Sequence, residues 1–272
     1  MTLHSDLQGI GIASSTPFTD DAQEVAAEAR QVEDLGFVTL WRSGVLPMVD
    51  VAVRATEHIP VATGIIPVSK VAAPELAATY RALQTDHPGR FVVGLGGAHD
   101  ARPLETLGAY LDALDEAGVP ADARVLAALG PNMLALARDR ASGAYPYLVT
   151  PAYVADARSR LGPDRLLAVL LMTAPTRDRD LARRAASGPL AFLTAQGGYR
   201  RNLLRLGFSD ADIDNVSDRL LDGIVAWGDE KAIASRIADY RSAGADQVVL
   251  RILDVDDNVT ATRDRLAKAL LR

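Results

Sequence analysis

Eight short apolar runs punctuate the chain, at residues 9–13, 37–41, 60–67, 91–95, 124–129, 144–149, 166–172 and 247–253, and almost every one is followed by an amphipathic helical stretch. A run that is apolar throughout, rather than alternating, is how a parallel strand buried on both faces reads. Eight strand–helix units in 272 residues predict an α/β fold, the (β/α)8 TIM barrel, whose usual length is ~250 residues. The chain is expected to form a single domain, 1–272. Such barrels carry their chemistry at the C-terminal ends of the strands, so the search for functional residues narrows to the loops that follow them.

Composition closes several routes. Hydrophobic residues make up 49% of the chain, enough for one large core. The net charge of −6 comes without a block of like charges, which argues against a nucleic-acid or acidic-membrane surface. There is no cysteine, so disulfides, a thiolate nucleophile and a zinc–thiolate site are excluded. The first residues lack the basic-then-apolar layout of a signal peptide, and no apolar stretch reaches the ~20 residues of a membrane span. The expected location is cytoplasmic.

The periodicity predicts a first helix from about Asp21 to Leu35, capped by Asp20 or Thr19 and ended by Gly36. Later helices are expected at about 48–58, 74–85, 103–118, 229–243 and 258–271. The segment 176–227 is too long for one crossover. It reads as an insertion of two or three extra helices after strand seven, broken near Gly188-Pro189, Gly197-Gly198 and Gly207. The loop after strand four is short, because Gly96 reaches Pro103 within a few residues.

The chemical features are individually modest. Gly94-Leu95-Gly96-Gly97 either closes a tight turn or admits a ligand to the backbone. It lacks the dinucleotide spacing, since His99 falls where the last glycine belongs. Gly130-Pro131-Asn132 joins strand five to a helix whose free N–H groups suit a phosphate, or merely start the helix. Gly64-Ile65-Ile66-Pro67 puts an apolar wall at the barrel mouth, fit to support a flat ring or to plug the top. Of the four histidines, His99 alone follows a strand at its C-terminal end, as an acid/base or as a solvated loop residue. Tyr199-Arg200-Arg201-Asn202 offers cations beside an aromatic, for an anion or for solvent. No convincing metal site occurs.

In order and spacing, several stretches resemble the luciferase-like monooxygenase superfamily. They are 33–41 (EDLGFVTLW), 61–65 (VATGI), 88–96 (PGRFVVGLG), 127–134 (AALGPNML) and Gly228-Asp229-Glu230 leading to Ala243-Gly244-Ala245-Asp246. The segment 199–208 (YRRNLLRLGF) is similar to a subgroup of oxidoreductases that use coenzyme F420, a deazaflavin. The resemblance implies a flavin-like ring in the barrel mouth, leaning on a non-proline cis peptide at Gly64-Ile65. It places the cofactor phosphate near Ala128, Leu129, Gly130, Pro131 and Asn132, with Gly94 and Gly96 lining the cavity. Many relatives carry an acidic residue, often followed by histidine, where this chain has Ser43 and Gly44. Ser43 and His99 are therefore the catalytic candidates, and Tyr199 and Arg200 the substrate-binding ones.

The implied function is an F420-dependent hydride transfer to or from a small organic substrate, in a homodimer. Two alternatives stay open: an FMN-dependent monooxygenase, and a catalytically degenerate barrel acting as a binding or assembly subunit.

Overall fold

A computed structural model describes residues 7–98, 100–195, 197–256 and 258–271. The apolar runs become a closed parallel barrel of eight staves, β1 (Gly9–Ala13), β2 (Leu40–Arg42), β3 (Val61–Thr63), β5 (Phe91–Gly96), β6 (Arg124–Leu126), β7 (Gly143–Ala144), β8 (Leu166–Ala174) and β10 (Gln247–Ile252). The barrel closes where β10 pairs with β1 on one side and β8 on the other. A two-residue strand β4 (Ile66–Pro67) continues β3 along β5, and β9 (Val225–Trp227) pairs with the end of β8.

Alternation sets the two faces of every strand. Ile10, Ile12, Leu40, Val61, Phe91, Leu126, Val169 and Val248 point outward into an apolar layer shared with the helices. Trp41, Ala62, Val92, Val125, Met172 and Val249 belong to the second cluster, inside the barrel. The helices that form the outer layer are α1 (Ala22–Leu35), α2 (Leu46–Arg54), α3 (Ala73–Asp86), α4 (Pro103–Glu116), α5 (Pro131–Arg140), α6 (Pro151–Leu161), and after the insertion α11 (Glu230–Ser242) and α12 (Val259–Leu270).

Three expectations are corrected. Strand three is not continuous over 60–67: it stops at Thr63 and resumes at Ile66, with a bulge between. Strand six shrinks from 144–149 to Gly143–Ala144, because Pro146 has no N–H to give a ladder and Leu148 lies at φ 55; only Tyr147 bridges to Leu170 beyond it. The first helix is capped by Asp21, whose carboxylate accepts from Gln23 and Glu24 N–H, while Thr19 donates to Glu24.

The insertion comprises four helices among the described residues, α7 (Arg179–Thr194), α8 (Gly197–Arg205), α9 (Asp210–Asn215) and α10 (Asp218–Ile224). The predicted break at Gly188-Pro189 does not occur. The buried stripe Ala182, Ala186 and Leu190 runs straight through it and holds α7 together across the missing proline N–H. These residues, with Leu203 and Phe208, join the apolar cluster of the barrel interior, so the insertion is packed onto the barrel.

Candidate functional site

The peptide bond between Gly64 and Ile65 is cis, at the position the resemblance gives. It forms the bulge between β3 and β4 at the C-terminal rim. Tyr145 packs directly against it: a Cβ on Gly64 would lie 2.9 Å from the Tyr145 ring. Tyr145 in turn stacks on Trp41, with centroids 3.9 Å apart and planes 6° apart. Trp41 is fixed from inside the barrel, where its indole N–H donates to Gln247 Oε1 at 2.9 Å. The Gln247 amide donates onward to Leu7 O at 2.7 Å and Thr39 Oγ1 at 2.5 Å.

Beside this floor stands Tyr147, edge-on to Tyr199 of α8 with centroids 6.2 Å apart. Arg251, from β10, donates to the Tyr147 hydroxyl at 3.1 Å and lies 5.9 Å from its ring centroid. Burial raises the phenols of Tyr145, Tyr147 and Tyr199 above their ordinary value, and Arg251 opposes this only in part. All three therefore remain neutral hydroxyls at neutral pH.

The glycines of the rim have other work. A Cβ on Gly44 would come within 2.6 Å of Ile66 Cα, so the bulge fills the room a side chain at this position would need. A Cβ on Gly94 would sit 1.7 Å from Thr63 O; the close approach of β3 and β5 accounts for that glycine without a ligand. Gly96 packs similarly against Ala127, 2.9 Å from its would-be Cβ. Ser43 donates its hydroxyl to Pro17 O and ties down the loop after β1.

The start of α5 is different. Gly130 is its N-cap, no side chain caps it, and a Cβ on Gly130 would meet nothing nearer than Arg205 Nη1 at 3.8 Å. Pro131 and Asn132 are exposed. Arg205, at the end of α8, is held there by Asn202 Oδ1 at 2.7 Å and reaches Leu129 O at 3.4 Å. The loop is braced from behind, where the Tyr153 hydroxyl lies 3.1 Å from both Ala128 O and Leu129 O. Open N–H groups beside a guanidinium form a donor set for an anion, phosphate above all.

Of the sequence candidates, Tyr199 reaches the mouth. Its neighbour Arg200 instead pairs with Asp210 and Asp214 of α9, at 2.5 and 2.7 Å, and its charge is already answered. His99 lies outside the described residues. Asp100 accepts from Arg102 N–H and Thr106 Oγ1 at the start of α4. Among the described residues no group of three or more His, Cys, Asp or Glu is placed to hold a metal. No helix is long and apolar enough to cross a membrane. Two surface clefts, of about 590 and 170 Å³, lie elsewhere, one along Glu230, Asp264 and Arg265, the other along Asp222, Trp227 and Arg236. The first lies between α11 and α12, and the second between β9, at the end of β8, and α11; the aromatic residues of the mouth line neither.

Sequence reasoning missed Trp41, Tyr145, Tyr147, Arg205 and Arg251. Arg251 had a usable signal: it shares the inward parity of Gln247 and Val249, four and two residues earlier on one strand. Arg205 lay within the 199–208 segment, but only the fold carries it to the start of α5.

No family model matches the chain, and no curated protein matches it in sequence. Solved structures do match it in fold. An F420-dependent secondary alcohol dehydrogenase in complex with an F420-acetone adduct superposes with TM-score 0.70 at 15% identity, covering 97% of this chain and 98% of that one. The coenzyme F420-dependent tetrahydromethanopterin reductase from Methanopyrus kandleri gives 0.69 at 16%, over 97% and 99%. The FMN-bound oxygenating constituent of 3,6-diketocamphane monooxygenase from Pseudomonas putida gives 0.66 at 13%, over 97% and 98%. The fold is thus the parallel (β/α)8 barrel of these oxidoreductases.

Proposed function

We propose that this barrel is an oxidoreductase that seats coenzyme F420 at its mouth and exchanges a hydride with a small organic substrate. The observation that carries the reading is the donor set at the start of α5. It is uncapped and open, stands beside Arg205, and lies one loop from the aromatic floor of the mouth. Such a set fits a phosphate, and the neighbouring flat surfaces fit a fused ring. When bound, the cofactor supplies the hydride chemistry, and the protein supplies orientation and a dry pocket.

The residues divide the remaining work. Gly130, Asn132 and Arg205 hold the phosphate. Ile65 and the Gly64 backbone support the ring, over a floor fixed by Tyr145 and Trp41. Tyr199 screens the mouth from the side of the insertion. Ser43 spends its hydroxyl on Pro17, so proton transfer falls to His99.

The donor set serves FMN as well, and a monooxygenase that binds FMN shares the fold. Titration of the purified protein with F420 and, separately, with FMN decides, read by fluorescence. The expected outcome is tight F420 and weak FMN binding. The reverse moves the reading to a flavin monooxygenase. Binding of neither leaves a degenerate barrel acting as a binding subunit.

A further inference from the structure

Arg251 is the one inward-facing cation of the described upper barrel layers. Its strand alternates Gln247, Val249, Arg251 toward the interior, and its register partner on β8 is Met172, also interior. Three arginines of the insertion spend their charge on carboxylates: Arg179 on Asp222, Arg183 on Asp180 and Arg200 on Asp214. Arg251 makes no salt bridge among the described residues. Its contact there is the Tyr147 hydroxyl, 3.1 Å from Nη1. That hydroxyl accepts from Arg251 and keeps its own hydrogen to give. Arg251 is only half-buried, and the bond to Tyr147 is the one its donor fork makes among the described residues. Around it stand Tyr147 and Tyr199, flat and apolar apart from their hydroxyls.

A cation set among aromatic faces, without a counter-ion among the described residues, is a receptor for an anion carried on an apolar body. We propose that the mouth takes a substrate bearing a carboxylate on a flat apolar framework, and that Arg251, with the Tyr147 hydroxyl, holds the carboxylate. This rests on the reading of the mouth as the substrate site.

The probes are benzoate and its neutral isostere benzamide, titrated calorimetrically against the full-length protein, with F420 and FMN binding measured in parallel. The wild type binds benzoate in preference to benzamide. Arg251→Met abolishes the preference, weakening benzoate on the order of 10- to 100-fold, the effect of losing hydrogen bonds to a charged group. Benzamide and cofactor binding change little. Arg251→Lys, which keeps the charge without the fork, retains an intermediate preference and guards against a folding defect in the first variant. Tyr147→Phe weakens benzoate in the same direction by less.

Equal binding of the two probes by the wild type, or binding of neither, overturns the proposal. So does a preference that survives in Arg251→Met, or a matching loss of cofactor binding, which would assign Arg251 to the cofactor. A protein that prefers benzoate through Arg251 yet binds neither F420 nor FMN upholds this inference while removing the oxidoreductase reading.

Discussion

At the scale of single residues, charge is buried on purpose next to the rim. Glu28 of α1 accepts from Ser14 Oγ, Ser15 N–H and Ser15 Oγ at 2.5–2.8 Å, and pairs with Arg263 of α12 at 2.6 Å. Arg42 of β2 stands 3.4 Å away, with Nε and Nη2 unpartnered among the described residues. Burial alone raises the Glu28 carboxyl, but Arg263 and then the serine hydroxyls outweigh it, and the net shift is downward. A lowered native value means the carboxylate stabilises the fold above the ordinary carboxyl range, with loss as pH falls through the native value. Glu28→Gln leaves two guanidiniums without their anion and is expected to cost about 3–5 kcal/mol at pH 7 in urea unfolding. Its gap from the wild type should close below about pH 4.5, the ordinary glutamate value from which the native one is lowered. A gap that is constant with pH would deny Glu28 this role. The sequence shows Glu28 only as a polar residue near the helical stripe; its partners come from three distant places, Ser14, Arg42 and Arg263, which no local pattern joins.

At the scale of elements, the strand–helix rhythm was legible because each buried strand must be apolar throughout, and β1 matches its expected bounds. What was illegible is where strands stop. Pro146, Leu148 and the Gly64–Ile65 bulge end ladders through backbone geometry, while the apolar pattern runs on unbroken. One resembling motif turns out to brace the fold: Asp246, just before β10, accepts from Leu167 N–H at 2.8 Å and pairs with Arg158 of α6. The open start of α5 was legible in Gly130-Pro131-Asn132, but the guanidinium beside it arrives from α8, some 75 residues downstream by their numbering. Arg205 is exposed and bonds mainly to Asn202, so Arg205→Met should leave thermal unfolding nearly unchanged. It should weaken whichever phosphate-bearing cofactor binds by roughly tenfold. Undiminished cofactor affinity would move the phosphate elsewhere.

At the scale of the molecule, large apolar side chains remain exposed at Phe18, Val45, Leu104, Phe192 and Leu204. The first three belong to segments that follow β1, β2 and β5; the other two belong to the insertion. The homodimer implied by the resemblance would give such residues a cover. Light scattering on the purified protein should return twice the chain mass of 28.9 kDa. A monomer that stays constant over a hundredfold range of concentration would remove the dimer.

Closure of the barrel sets the order of events in synthesis. Its last seam joins β10 to β1, pairing Val248 with Ile10, and the buried arginine that answers Glu28 comes later still, at Arg263. A nascent chain therefore carries an open sheet with two unpaired edges until β10 has left the ribosome. Early strands and helices wait for β10, and a product cut short before that seam loses the closed ring as well as α12.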